Sequence, residues 1–256
     1  MADNAEPIRW NDVADLYDSY VRVTFDVPFL VGEARKTGGE VLELMCGTGR
    51  VSLPLVEAGV RLTCVDNAPE MLRQLSDKLG QRGLSANLRL MDVRELDLPQ
   101  KFALIMIPFH AFAELTSEED QRRALMRIHA HLVDGGRFIC TLHNPPVRLK
   151  PVDGIMRLWG SHAAPGGEGR LLLWGAETRD AEAGVVNGVE VFELYDRSGH
   201  MESKRLLEFR FRLLERAQFE RLAADAGFVI EALFGGYSYE PFDDARSRFL
   251  VYVLRK

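Results

Sequence analysis

Two features of the chain are placed to do chemistry together. The first is Gly47-Thr48-Gly49, which breaks an apolar run opening at Val41, with one acid, Glu43, four residues ahead of Gly47. Glycines between a strand and a helix let the backbone approach a ligand closely. The helix that follows aims its free N–H groups at the same place. The second is Asp66, which ends the next strand-like run roughly twenty residues on, where an acid can accept both hydroxyls of a ribose. Together they predict an adenosine-bearing ligand.

A dinucleotide fingerprint needs a third glycine where this chain has Ser52. Glu43 also has no evident use beside a pyrophosphate. S-adenosylmethionine fits better: it is positively charged at its sulfonium and ammonium and has no pyrophosphate. Tyr17 and Tyr20 are three apart in a helix-like segment, so both can face one cleft, and their rings suit a sulfonium. His110 and Glu114 follow the fourth strand-like run and are the candidates for a general base. His129 and His131, two apart on a helix, point in different directions and are expected at the surface. Asn144-Pro145-Pro146 reads as a turn. No metal site is expected.

These residues need elements to hold them. Strand-like runs at 41–46, 61–65, 87–91, 102–107 and 136–142 alternate with helix-like patterns near 51–58, 69–82 and 117–132. That alternation predicts an α/β fold with a mostly parallel sheet covered on both faces. Residues 170–213 change character and read as three antiparallel strands, with bends at Asn187-Gly188 and Ser198-Gly199. Residues 161–170 read as a loop. A helix over 215–228 and two more strands close the chain. The expected division is a helical lid over 1–36, a cofactor-binding unit over 37–146 and 214–256, and an antiparallel insertion over 147–213.

Composition sets the limits. A net charge of −6, without any Lys/Arg block, argues against a nucleic-acid surface. With 46% hydrophobic residues over 256 positions the chain can bury a sizeable core, yet no apolar run approaches a membrane span. Cys46, Cys64 and Cys140 lie in or beside strand-like runs, as reduced buried thiols of a cytoplasmic protein would.

"LELMCGTGR", "VDNAPEML", "LRLMDVREL", "HLVDGGRFICTLHNP" and the closing "AGFVIEALFGG…RFLVYVLRK" resemble the successive motifs of the class I S-adenosylmethionine-dependent methyltransferases. The resemblance spans nearly the whole chain. Within the superfamily it extends loosely to small-molecule enzymes with a three-stranded antiparallel insertion, including aminosugar N,N-dimethyltransferases. It implies a Rossmann-like seven-stranded sheet with an antiparallel last strand, and methyl transfer by in-line displacement to a small-molecule acceptor at N or O. Alternatives are a methyltransferase acting on protein or RNA, and a module that only binds S-adenosylmethionine or NAD.

The implied cofactor residues are Gly47 and Gly49 under the methionine part, with Glu43 and Arg50 supporting that loop, and Asp66 on the ribose. Asn67 and Met71 would flank the adenine, with Asp92 and the Val93 N–H on its edge. Ile107 would face the methionine, and Tyr17 and Tyr20 would close the cleft. Aminosugar-type relatives place a His near the position of Glu114, and this chain departs from them there. The apolar face of the insertion is expected over the cofactor mouth or against a second copy in a homo-oligomer.

Overall fold

The computed structural model describes residues 8–256, so the first seven residues of the expected lid lie outside the described residues. Seven strands form the main sheet: β1 Val41–Leu44, β2 Leu62–Asp66, β3 Asn87–Leu90, β4 Phe102–Ile107, β5 Leu132–His143, β10 Val229–Phe234 and β11 Phe249–Arg255. Their spatial order is β10-β11-β5-β4-β1-β2-β3. β1 pairs parallel with β2 and β4, β4 parallel with β5, and β11 runs antiparallel between β5 and β10. The expected fold class and the reversed strand between the fifth and the other closing strand are both present.

The residues form these elements for local reasons. β1 and β2 are buried along their whole length and are mostly apolar, as strands covered on both faces must be, with Glu43, Thr63 and Asp66 the polar exceptions. Helix α4, Pro69–Gln81, starts on a proline and buries Met71, Leu72, Leu75 and Leu79 along one stripe. Helix α5, Glu118–His131, is capped by the Ser117 side chain, which accepts from the Asp120 N–H, and carries three acids in its first turn. One core layer packs Phe102, Phe112, Phe138, Phe219 and Tyr252 on one face of the sheet; the other packs Phe29, Leu30, Leu55 and Leu75 on the opposite face.

The insertion is a separate sheet of four strands rather than three: β6 Arg157–Ala163, β7 Arg170–Asp180, β8 Val185–Tyr195 and β9 Met201–Arg212. β6 takes up Ser161–Ala163 from the expected loop, leaving only 164–169 as the turn. As a largely exposed edge strand with a register shift at Leu158/Gly160, it lacks the alternation that marks a half-buried strand. Asn187-Gly188 is not a bend either: both lie inside β8, and the chain turns over 181–184. Gly188 is glycine because the Phe209 ring lies across it, 2.0 Å from where a Cβ would sit. Ser198-Gly199 does turn, with Gly199 at φ +87°.

Ahead of β1 the chain forms a short 3₁₀ turn, Trp10–Val13, and two helices, α1 Ala14–Tyr20 and α2 Val27–Thr37. Val13 and Leu16 pack against Leu171, Leu173, Phe192 and Leu207 of the insertion. The leading segment therefore lies between the two sheets. Arg205 of β9 fastens it there, reaching the Asp12 carbonyl at 3.1 Å and the Asp15 carboxylate at 2.6 Å.

Two local expectations are corrected. His131 is buried: its Nε2 accepts from the Leu98 N–H at 2.9 Å, so Nδ1 carries the proton and donates to the Arg127 carbonyl at 2.7 Å. His129 lies edge-on to Phe228. The Asn-Pro-Pro stretch opens a single helical turn, α6 Pro145–Arg148, and the buried Asn144 amide donates to the Asp244 and Ser247 carbonyls. The three cysteines are free and buried.

Candidate active site

The glycine loop leaves β1 at the carboxyl edge of the sheet, the edge on which open α/β sheets bind ligands. Gly47 and Gly49 have φ of +55° and +86°, which side chains resist, but they differ in what surrounds them. A Cβ on Gly49 would lie 2.2 Å from Leu75 Cδ1, so Gly49 lets the loop pack on α4. A Cβ on Gly47 would meet nothing within 4 Å, so that cradle opens into the cleft. The Asp66 carboxylate bounds it, accepting from the Gly47 N–H at 2.7 Å and the Ala68 N–H at 2.9 Å.

Glu43 does not reach the cleft. It is 1% exposed and accepts from the Ser52 hydroxyl at 2.6 Å, and burial pushes its pKa up to about 8. Ser52, the residue that spoils the dinucleotide fingerprint, is thus the partner of the strand acid. Arg50 holds the buried Asp26 through two bonds, 2.5 and 2.6 Å, donates to the Val23 carbonyl, and stacks over Phe109 at 4.5 Å. Both residues brace the loop. Thr48 donates to Asp18 at 2.6 Å and Lys78 reaches the other oxygen of the same carboxylate, tying α1 to the loop.

Around the cradle, Met71 is buried against Ala14 and Ala68, while Asn67 is exposed. Asp92 is half-buried, accepts from the Arg94 N–H at 2.8 Å and pairs with its guanidinium, which holds its pKa down against the effect of burial. Val93 is 5% exposed and follows β3 in a 3₁₀ turn. The Ile107 side chain belongs wholly to the core, which leaves its backbone as the group available at the strand end. The residues expected around an adenosine therefore lie at the carboxyl ends of neighbouring strands β1, β2, β3 and β4 or just beyond them.

Deeper in, Trp10, Tyr17, Tyr20 and Phe192 form a row of rings with successive centroids 5.8, 5.6 and 5.3 Å apart. The Trp10 indole N–H donates to Glu114 at 3.2 Å, and burial raises the Glu114 pKa to about 7, with the Asp66 charge adding to the effect. His110 is stacked on His143 at 3.5 Å between centroids, and its buried Nδ1 has no hydrogen-bond partner. Burial and its His143 neighbour push its pKa well below the usual histidine value, so it is a neutral ring at pH 7.

Sequence reasoning missed three participants. Asp18 and Trp10 are ordinary in sequence. Glu190 of β8 carried one signal: it shares the inward register with Phe192 and Leu194, an acid among apolar residues. Val189 and Val191 make the other register equally apolar, which concealed it.

The fold thus gathers a glycine cradle, a strand-end acid, a buried glutamate and a row of aromatic rings. Residues 41–136 match the family described as methyltransferase domain. The chain is similar to S-adenosylmethionine-dependent methyltransferases, and S-adenosylmethionine is the cofactor that this domain implies. The chain is 29% identical over 222 residues to a cypemycin N-terminal methyltransferase from Streptomyces sp, covering 86% of this chain and 84% of that one. It is 24% identical to a dTDP-3-amino-3,6-dideoxy-alpha-D-glucopyranose N,N-dimethyltransferase from Streptomyces fradiae, covering 89% and 88%. The structure of the CcbJ methyltransferase from Streptomyces caelestis superposes with a TM-score of 0.83 at 22% identity, covering 98% and 99%.

The residues present fit the cofactor. The open cradle at Gly47 admits a backbone-hugging group, and the carboxylate of Asp66 lies at its edge where a ribose would present two hydroxyls. When bound, S-adenosylmethionine supplies an electrophilic methyl group on a positive sulfur.

Proposed function

We propose that the protein is an N-methyltransferase acting on a small-molecule amine, with Glu114 as the general base. The observation that carries this is the pairing of an acid tuned near neutrality with the aromatic row that Trp10 joins to it. An amine arrives protonated at pH 7 and must lose a proton before nitrogen can attack. A carboxylate of pKa about 7 is matched to that task, whereas a histidine held well below its usual value is a poor acceptor. Glu114 takes the proton; Trp10 holds the carboxylate in place. Tyr17 and Tyr20 offer ring faces to positive charge, worth roughly 0.5–2 kcal/mol each. His110 walls the chamber and keeps water out as part of an aromatic stack with His143, Phe109 and Phe249. Orienting two partners in line can supply about 7–11 kcal/mol of the barrier, and this is the main contribution asked of the protein.

The names of the two sequence relatives, an N-terminal methyltransferase and an N,N-dimethyltransferase, support nitrogen as the acceptor. The leading segment serves as a lid on this reading, since α1 is tied to the glycine loop through Asp18 and Thr48. Incubation with methyl-labelled S-adenosylmethionine and an acceptor set of amines, phenols and sugars, read by mass spectrometry, tests the proposal. Label is expected on amine nitrogen; label confined to hydroxyl or phenol oxygen would overturn it.

A further inference from the structure

Three acids border the acceptor chamber, and they are not equivalent. Glu114 has the Trp10 N–H. Glu177 of β7 is paired with Arg148, whose guanidinium also lies 4.9 Å from the Phe211 ring. Glu190 has neither: its Oε2 is buried and without a hydrogen-bond partner among the described residues. The hydroxyl of Tyr20 is likewise buried and unpartnered.

These two orphans share one place. Glu190 is paired with Gly175 on one side and with Leu207 on the other, so it lies on the inward face of the insertion, the face that packs on α1. Phe192, two residues on in the same register, touches Tyr20. The negative charge of Glu190 acts on both Tyr20 and Tyr17. A desolvated carboxyl with no partner is costly, and a protein keeps one where a ligand completes it. Burial and the Glu177 charge raise the Glu190 pKa to about 7, so a cation that settles there holds it as an accepting carboxylate, and the nearby tyrosine rings favour a cation over a neutral hydroxyl.

We propose that Glu190, with the Tyr20 hydroxyl beside it, is the seat for a positively charged amine of the acceptor, making the inserted sheet the element that selects acceptors by charge. This deepens the N-methyltransferase reading and rests on it. Glu190 acts as a specificity residue and takes no part in bond making; Glu114, at the Trp10 end of the ring row, remains the base. Glu114 is at the Trp10 end of the row Trp10–Tyr17–Tyr20–Phe192 and Glu190 two residues from its Phe192 end, so an amine that Glu190 draws in passes along aromatic faces to Glu114, where it loses its proton.

Binding rather than turnover tests the seat. With S-adenosylhomocysteine saturating, trialanine and D-glucosamine are titrated by calorimetry beside their hydroxyl counterparts, lactyl-dialanine and D-glucose, into wild type, Glu190→Gln and Glu190→Asp. At least one amine is expected to bind about tenfold or more tightly than its counterpart. Glu190→Gln should erase that preference and Glu190→Asp should restore part of it, with S-adenosylhomocysteine affinity within about twofold throughout. A preference that survives in Glu190→Gln, or no preference in wild type, overturns the seat. Failure of the underlying reading is distinguishable, because it appears as labelling of oxygen alone in the transfer assay, whatever the calorimetry shows.

Discussion

Asp66 joins the cofactor cleft to the fold through a single carboxylate. It already accepts two backbone N–H groups, and ribose hydroxyls would add charge-assisted bonds worth about 1.5–3 kcal/mol each. Asp66→Ala is therefore expected to weaken S-adenosylhomocysteine binding at least about tenfold by calorimetry, and unchanged affinity in a folded variant would remove it from the site. Glu43 makes a different prediction. Its folded pKa of about 8 lies above the ordinary 4.5, so the folded state holds a proton that the unfolded state releases between those values. Its contribution to stability is complete below about pH 4.5 and is lost as pH rises through 8, with a slope of at most about 1.4 kcal/mol per pH unit. Glu43→Gln should flatten that part of the denaturation profile; an identical pH dependence in both proteins would count against a protonated Glu43. For Glu114, the carboxylate form is the active base, so kcat/KM should rise with pH through about 7. Glu114→Gln should remove that limb and lower the rate by about 10²–10⁴, and a retained limb would assign it to another group.

The leading helices show how an element outside every βαβ unit is held over the cleft. α1 is tied to the glycine loop by Asp18–Thr48 and to α4 by Asp18–Lys78, and the segment before α2 by Arg50–Asp26. Of these, the Lys78–Asp18 pair is exposed, the kind of contact that opens locally at low cost, whereas Thr48 and Asp26 are buried. A lid that closes on cofactor should become protected from hydrogen exchange over residues 10–30 when S-adenosylhomocysteine binds, and Asp18→Asn should reduce that protection. Equal exchange with and without ligand would mean a permanently packed helix pair.

Across the whole molecule, the two sheets share the lid between them. Phe192, fully buried, contacts Tyr20 from the insertion side and lies in the apolar layer with Val13 and Leu16. Truncating it leaves a cavity under the lid, so Phe192→Ala is expected to cost about 3–5 kcal/mol in denaturant unfolding. It should also speed exchange in residues 14–20 ahead of the rest. If exchange there does not change, the inserted sheet and the lid are energetically independent. The same packing means that removing the insertion would expose Val13 and Leu16 of the leading segment.

How much of this the chain declares follows from where the determining forces lie. The strands and helices of the main sheet were legible because each rests on local signals, namely largely apolar strand runs, a Pro-started helix, a Ser-capped helix and glycines at strand ends, while the reversed strand was implied only by the family resemblance. Gly47 and Asp66 were legible as strand-end positions for the same reason, and the structure joins them through the Gly47 N–H. The fourth inserted strand was not, because an exposed edge strand is held by backbone pairing to its neighbour and leaves no alternation to read. Asn187-Gly188 has the composition of a turn, yet a ring from another strand decides its place. His131 looked like a surface residue until the Leu98 N–H was brought beside it from thirty-three positions away. Glu190 shows the division most plainly. Its sequence neighbours are apolar in both registers, and only the packing of the inserted sheet against α1 decides that its carboxylate points inward, beside Tyr20, with no partner among the described residues.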